Sequence, residues 1–439
     1  MQKLLDMNGK LCSCGKIHSF SSRVVSGKGV LYRLPELAET LHSHRIFVLS
    51  DPNTHAAAGA QVCALLTEQG FAVVSCCLPF DAPEPDETSV GSALMHYDSR
   101  CDLIIGVGSG VINDIGKLLS ATAKVPYIIV ATAPSMDGYA SATSSMTRSG
   151  LKISLSTKAA DIIVGDTDIL CSAPLTMMKA GLGDMLAKYV SICEWRLSHR
   201  ITGEYYCEEI ACLIRSALKR CIDNADGLLK REEAAVQAVF EGLVIGGVAM
   251  NYAGLSRPAS GVEHYISHIL DMRAVEFGTP AHFHGIQCAV GTMEAIKLYE
   301  ALTALTPNRD TALSHAAAFD GCAWEEGLRK LLGKGAEAMI ALEKTEGKYD
   351  PEAHRRRLET ILSNWQALMD IIAQELPSSQ ELSRLLTQME MPQTIEELGI
   401  PRAQFPDIFR ATKDIRDKYV LSRLAWDLGV LDEILQTAK

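Results

Sequence analysis

The chain of 439 residues has no run of lysine and arginine large enough to reverse its acidic balance locally: 42 basic side chains stand against 53 acidic ones, for a net charge of −11. A surface of that sign repels polyphosphate backbones and excludes nucleic acid as an expected partner. No uninterrupted apolar segment reaches the roughly 18 residues of a membrane-spanning helix, and the N-terminal stretch MQKLLDMNGKLCSCGK has no apolar stretch of signal-peptide length. The expectation is a protein with no membrane span, working in the cytoplasm. A disulfide framework is also missing. The thirteen cysteines are odd in number, and most sit inside apolar segments, as Cys63, Cys193 and Cys212 do, where a thiol behaves as a small hydrophobe. They read as reduced thiols. The C-x-x-C spacing of a zinc motif is absent too. The cluster Cys12-x-Cys14-Gly-x-x-His18 carries zinc-type donors, but no second half follows it, so it reads as an N-terminal turn.

What is present is an ordinary globular balance, 47% hydrophobic with 22% charged, in a length that accommodates two or three domains. Before about residue 170, β-rich runs alternate with helical stretches: RIFVLS (45 to 50), a helix from His55 to Gln69, FAVVSC (71 to 76), LIIGVG (103 to 108), a helix from about Asn113, YIIVAT (127 to 132) and DIIVGD (161 to 166). Such alternation predicts a parallel sheet covered on both faces. After about residue 174 the β-rich runs stop, and apolar residues recur at spacings of three and four. Prolines 174, 258, 280, 307, 351, 377 and 392 punctuate this half into separate helices. The predicted fold class is therefore an α/β N-terminal nucleotide-binding domain (1–172) with a parallel sheet, followed by an all-α C-terminal metal- and substrate-binding domain (173–439), with the working site in the cleft between them.

The run Gly106-Val107-Gly108-Ser109-Gly110-Val111-Ile112-Asn113-Asp114 follows an apolar strand and opens a helix, which suits a phosphate lying against unpaired backbone N–H groups. It is not the G-x-G-x-x-G dinucleotide fingerprint, and no acidic residue ends a strand about 20 positions later. Asp51, in FVLSDPNT, is an earlier acidic strand end that could bond the adenosine ribose and repel a 2′-phosphate, and it is equally a helix N-cap. Directly after YIIV comes Ala131-Thr132-Ala133-Pro134-Ser135-Met136-Asp137-Gly138-Tyr139-Ala140-Ser141, dense in hydroxyls and placed where binding loops gather.

In the helical half, Asp184 in GLGDMLAKY sits in apolar surroundings, where an unpaired carboxylate is costly unless it meets a cation. His264 and His268 lie one helical turn apart in EHYISH, and His282 and His284 follow in HFHG. One Asp with histidines from separate helices makes an N/O donor set suited to zinc, iron or nickel with positions left open for a substrate. It is not the H-E-x-x-H protease arrangement, because Glu263 precedes the first histidine.

On the stretches VGSGVINDIGK, ATAPSMDGYASATSSM, GLGDMLAKY, SGVEHYISH, FHGIQCAVGT and IRDKYVLSRLAWDLGVL, the sequence resembles the glycerol-1-phosphate dehydrogenase family, within the superfamily of iron-containing alcohol dehydrogenases and dehydroquinate synthases. The likeness spans residues 40 to 435, and S-M-D-G-Y-A-S is its most specific phrase. The resemblance implies a dehydroquinate synthase-like fold and one divalent metal ion (zinc, nickel or iron) held by Asp184, His264 and His284. It implies catalytic and substrate-contacting roles for Asp137, Asp184 and His268. The cofactor is NAD, with NADP as a second possibility, touched by Asp51, Gly110, Val111, Ile112, Asn113, Asp114, Thr132, Ala133, Pro134, Ser135 and Ser141. Ser109 and Val111 depart from the residues common in the family's loop. The implied reaction is reduction of dihydroxyacetone phosphate to sn-glycerol 1-phosphate, a step of phospholipid biosynthesis. A glycerol or other polyol dehydrogenase is the alternative, with a dehydroquinate synthase-like lyase and a non-catalytic scaffold behind it. The expected partners are a small phosphorylated triose and further copies of the chain in a homo-oligomer. Lys188, Arg148, Lys152 and Arg257 are the cations considered for the phosphate.

Overall fold

The computed structural model describes residues 7–148 and 151–438. The first six residues of the N-terminal stretch lie outside it. Two compact units form: one comprises Met1–Met185 with Cys212–Gly254, the other Leu186–Ala211 with Leu255–Lys439.

The first unit is built on six parallel strands in the order β1-β8-β5-β4-β2-β3, where β1 is Arg23–Gly27, β2 Arg45–Ser50, β3 Ala72–Cys77, β4 Leu103–Gly108, β5 Tyr127–Ala131 and β8 Ile162–Asp166. The central strands are apolar at nearly every position because both faces are covered, and β4, β5 and β8 are buried along their whole length. Ile46 and Val48, Ile105 and Val107, Ile128 and Val130, and Val164 form the core of one face. From β2 the chain moves outward to β3, then returns on the other side of β2 to form β4. That reversal leaves a crevice at the C-terminal ends of β2 and β4, the place where open α/β sheets bind ligands. Helices α1 (Ala60–Glu68), α2 (Glu87–His96) and α3 (Gly110–Ala123) connect the strands.

Two strand features were not foreseen in the sequence. The edge strand β1 is one. The other is an antiparallel hairpin, β6 (Thr143–Arg148) with β7 (Leu151–Ser156), directly after the hydroxyl-rich loop of 131–141. After β8 no strand occurs among the described residues. Helix α4 (Leu175–Leu186) follows, and α5 (Lys188–Thr202) belongs to the second unit. Helix α6 (Glu233–Ala253) is long and apolar enough to cross a membrane, but 78% of its most apolar window is buried inside the protein, as expected of a core helix. It packs against the short turn Asp137–Ala140 and against β1, which is why it folds with the sheet.

The second unit is all helix among its described residues. Its centre is the pair α7 (Val262–Phe277) and α8 (His284–Thr303), with α5, Ser379–Gln388 and Leu431–Thr437 packed around α8. A Cβ at Gly291 would come within 2.7 Å of the Glu263 carbonyl oxygen. The bare glycine lets α8 approach the start of α7 closely, and this brings the histidines of the two helices together.

Candidate functional site

In the sheet unit, the residues expected at the cofactor gather on the C-terminal ends of three neighbouring strands. Ser109 is the N-cap of α3 but makes no side-chain cap bond, so the first N–H groups of the helix, at Gly110, Val111 and Ile112, receive nothing from it. Its hydroxyl instead meets that of Ser135 at 2.5 Å, and the Thr132 N–H donates to the Gly108 carbonyl at 3.1 Å. These two bonds tie the glycine loop to the Thr132–Ser135 segment and keep the helix N-terminus open, the arrangement that receives a pyrophosphate. A Cβ at Gly110 would meet only the Met136 side chain, at 3.6 Å or more, so nothing in the protein itself demands glycine there.

Asn113 points away from this edge, its amide donating to the Gly138 carbonyl at 3.0 Å. Asp114 is ion-paired at 3.0 Å with Lys117, whose ammonium also donates to the Thr143 carbonyl. Burial pushes the Asp114 carboxyl above its ordinary value, against the pull of Lys117. Both residues anchor the Gly138–Thr143 segment. Ser141 stays local, its hydroxyl 2.9 Å from that of Thr143. Asp51 ends β2 and caps the next turn, with Thr54 N–H donating to Oδ1 at 2.9 Å and the Thr54 hydroxyl accepting from Asp51 N–H at 2.9 Å. Asp51 is thus the N-cap, and the cap uses its Oδ1 at the end of the strand next to the glycine loop.

Asp184, on α4, is fully buried, and its Oδ2 accepts the backbone N–H of Asp137 at 2.9 Å. The two acidic residues of the S-M-D-G and G-L-G-D phrases are therefore one hydrogen-bonded pair within the first unit.

In the helical unit, His264 on α7 and His284 at the start of α8 have ring centroids 5.0 Å apart, and His268, one turn beyond His264, stacks on His284 at 5.8 Å. Glu263 Oε1 lies 2.7 Å from His264 Nδ1 and also accepts the Gly261 N–H at 2.7 Å. With the carboxylate as acceptor, Nδ1 carries the proton and Nε2 carries the lone pair. His284 is fixed in the same way: Ser267 gives its proton to Gln287 Oε1 at 2.6 Å, so its oxygen accepts from His284 Nδ1, 3.0 Å away. Both rings present Nε2. Cys288, one turn into α8, brings its sulfur within 3.6 Å of His284 Nε2, and the donor atoms of His264, His284 and Cys288 all lie within 4.8 Å of one another. Burial would raise that thiol, but the charges and hydrogen bonds of His264 and His284 outweigh it and hold it below its ordinary value. Asp271 forms a second such group with His268 and His284. Glu263 Oε2 is buried without a hydrogen-bond partner. Orphaned carboxylate oxygen, oriented imidazoles and a depressed thiol are what a cation-binding centre provides, so the donor set fits a divalent metal.

Sequence reading missed Cys288, Glu263, Ser267, Gln287 and Asp271. Cys288 had a signal, since it stands four residues after His284 on one helical face. His282 stands apart from the centre: its Nε2 bonds the Leu398 carbonyl at 3.0 Å. Of the cations considered for a phosphate, Arg257 is buried and committed to Glu204, Ser198 and the Tyr419 carbonyl, and Lys188 is buried with its ammonium 3.0 Å from the Ala259 carbonyl. Arg148 and Lys152 are exposed on the hairpin.

Comparison with known proteins gives a consistent picture. The model of the iron-containing alcohol dehydrogenase family matches residues 25–174. The chain is 32% identical over 294 residues to glycerol-1-phosphate dehydrogenase (NAD(P)+) of Halalkalibacterium halodurans, covering 66% of this chain and 74% of that protein. It is also 32% identical over 302 residues to the Bacillus subtilis protein of the same name, covering 67% and 77%. Glycerol dehydrogenase from Schizosaccharomyces pombe shares the fold, with a TM-score of 0.62 at 17% identity over 96% of this chain and 92% of that one.

Proposed function

The chain belongs to the glycerol-1-phosphate dehydrogenase family, and from that premise we propose that it reduces dihydroxyacetone phosphate to sn-glycerol 1-phosphate with NADH, NADPH serving as a second reductant. The observation that carries the metal-dependent reading is the pair His264 and His284, 5.0 Å apart, each with Nδ1 engaged and Nε2 left as a donor. His264 and His284 would hold one divalent ion, zinc, nickel or iron, with Asp184 as the acidic ligand. When bound, the ion supplies Lewis-acid polarisation of the substrate ketone and the nicotinamide supplies the hydride.

The chain's own residues do the rest. The amides of Gly110, Val111 and Ile112 bind the cofactor pyrophosphate, and the Ser109–Ser135 contact keeps that helix end open, with Thr132, Ala133 and Pro134 forming the opposite wall. Asn113, Asp114 and Ser141 hold the segment from Gly138 to Thr143 in place behind the cofactor. Asp51 accepts from the adenosine ribose and disfavours a 2′-phosphate. The bond from Asp137 N–H to Asp184 fixes the Asp137 loop, and the Asp137 carboxylate orients a substrate hydroxyl. His268, half-buried beside His284, hands a proton to the product oxygen as the hydride reaches carbon. Along the chain, the cofactor-binding roles fall in 1–172 and the metal-binding roles in 173–439, a division of roles that differs from the division into compact units.

The experiment is an assay of dihydroxyacetone phosphate with NADH, run with zinc, nickel and iron in parallel and with product stereochemistry assigned. Turnover to the sn-1 isomer supports the reading. Oxidation of glycerol with no activity on the phosphorylated triose would replace it by the polyol dehydrogenase. Cysteines with no disulfide among the described residues suit the reducing cytoplasm. A closed homo-oligomer is the symmetric expectation, checked by light scattering.

A further inference from the structure

We propose that Cys12, Cys14 and His18 form a second metal centre, a structural zinc site separate from the catalytic one. The donor atoms of the three residues lie within 4.8 Å of one another. Cys14 Sγ is 3.4 Å from His18 Nε2. A tetrahedral zinc with Zn–S of about 2.3 Å and Zn–N of about 2.0 Å holds its sulfur and nitrogen donors about 3.5 Å apart, so this edge of the tetrahedron is already formed.

The histidine is prepared for the role. Its Nδ1 lies 2.9 Å from the carbonyl oxygen of Tyr252, at the end of α6. A carbonyl only accepts, so the proton sits on Nδ1 and Nε2 carries the lone pair aimed at Cys14. An imidazole whose second nitrogen donates to a backbone carbonyl is the usual support of a metal ligand.

The loop around these residues is ordered by polar contacts: the Gly9 N–H donates to the His18 carbonyl at 2.7 Å, and Asn8 exchanges two hydrogen bonds with the Phe20 backbone. Leu11 pairs with Ile17 in a single antiparallel bridge, the Cys12 N–H donates to the Lys16 carbonyl at 2.9 Å, and the Gly15 N–H returns to Cys12 at 2.9 Å with Gly15 at φ 80°. Only glycine adopts that conformation cheaply, which explains its place directly after Cys14. The apolar side chains point the wrong way for a core: Leu11 is 74% exposed and Ile17 65%, while Cys12 and His18 are buried. A turn that buries thiol and imidazole and leaves its aliphatics in water is arranged around its polar donors rather than around an apolar core, and a bound cation would draw those donors together. Two thiolates and one imidazole are soft to borderline donors, which select zinc over magnesium or calcium. The fourth position is taken by water or a further thiolate.

The test uses the full chain. Elemental analysis of the protein reconstituted with zinc is expected to find two zinc ions per chain, falling by one in the Cys12→Ser/Cys14→Ser double variant and by one in His284→Ala. Replacing zinc by cobalt(II) adds a thiolate-to-cobalt charge-transfer band, expected to survive Cys288→Ser and to vanish in the double variant. Zinc content unchanged in the double variant, or a band that vanishes with Cys288→Ser and survives in the double variant, overturns the proposal. Should the double variant fail to fold, cobalt(II) titration of His284→Ala decides. One equivalent bound with the charge-transfer band supports the second centre, and absence of the band rejects it.

Discussion

His264 Nδ1 and Glu263 Oε1 are 2.7 Å apart, in adjacent positions of one helix start, and that contact settles which nitrogen of His264 faces outward. The same carboxylate oxygen also accepts the Gly261 N–H, so it is held from two sides. Glu263→Gln keeps the volume but replaces a full charge by an amide. Supporting carboxylates of this kind are worth about 10- to 100-fold in metal affinity. The variant is expected to lose metal to a competing chelator at a correspondingly lower chelator concentration, with turnover recovering when metal is supplied in excess. A metal affinity equal to that of the unaltered protein would show that Glu263 supports only the helix start.

Gly110 offers a test of the cofactor reading that stability does not confound. Its added Cβ would meet nothing closer than the Met136 side chain at 3.6 Å, and alanine is a better helix former than glycine. Gly110→Ala should therefore keep the thermal midpoint within a few degrees while weakening NADH binding about tenfold, since the methyl group occupies the approach to the first N–H groups of α3. Fluorescence titration with NADH measures this. Unchanged affinity would place the pyrophosphate elsewhere.

The strands that were legible in the sequence are those that burial makes continuous. RIFVLS, LIIGVG, YIIVAT and DIIVGD carry their assignment because both faces of the sheet are covered. The hairpin β6–β7 was not legible, for TSSMTR and LKISLS carry the small hydroxyl residues of a binding loop, and only their mutual pairing makes them strands. The change of texture near residue 170 marks where strands end. It does not mark where the sheet unit ends, because α6, far along the chain, packs on the Asp137–Ala140 turn. Among the site residues, His264 and His268 declared themselves by helical spacing, whereas Cys288 was hidden by the abundance of cysteines that serve as small hydrophobes. Arg257 looked available for a phosphate until its partner Glu204, 53 residues earlier, was located.

Asp51 allows charge and cap to be separated. Asparagine caps a helix as well as aspartate does, so Asp51→Asn preserves the bond from Thr54 N–H and removes only the negative charge. The efficiency with NADPH relative to NADH is expected to rise about tenfold, the effect of removing about 1.4 kcal/mol of repulsion toward a 2′-phosphate. Initial rates with the two cofactors give the ratio. No change would leave Asp51 as a cap alone.

Lys418 provides a prediction in pH. Its ammonium donates to the Ser260 carbonyl at 2.8 Å and lies 5.7 Å from the centre of the Tyr265 ring. Burial, with the charges of Arg257 and Arg416 adding to it, pulls its pKa from 10.5 down to about 7. Between these values the unfolded chain holds a proton that the folded chain has released, so the unfolded state binds more protons and the stability contributed by this group rises with pH. The slope reaches at most about 1.4 kcal/mol per pH unit. Lys418→Met removes the titration. The thermal midpoint of the unaltered protein relative to that variant is therefore expected to climb steadily from about pH 7 to about pH 10. A difference that stays constant over this range would mean that Lys418 keeps its ordinary pKa, and that burial does not destabilise its charge.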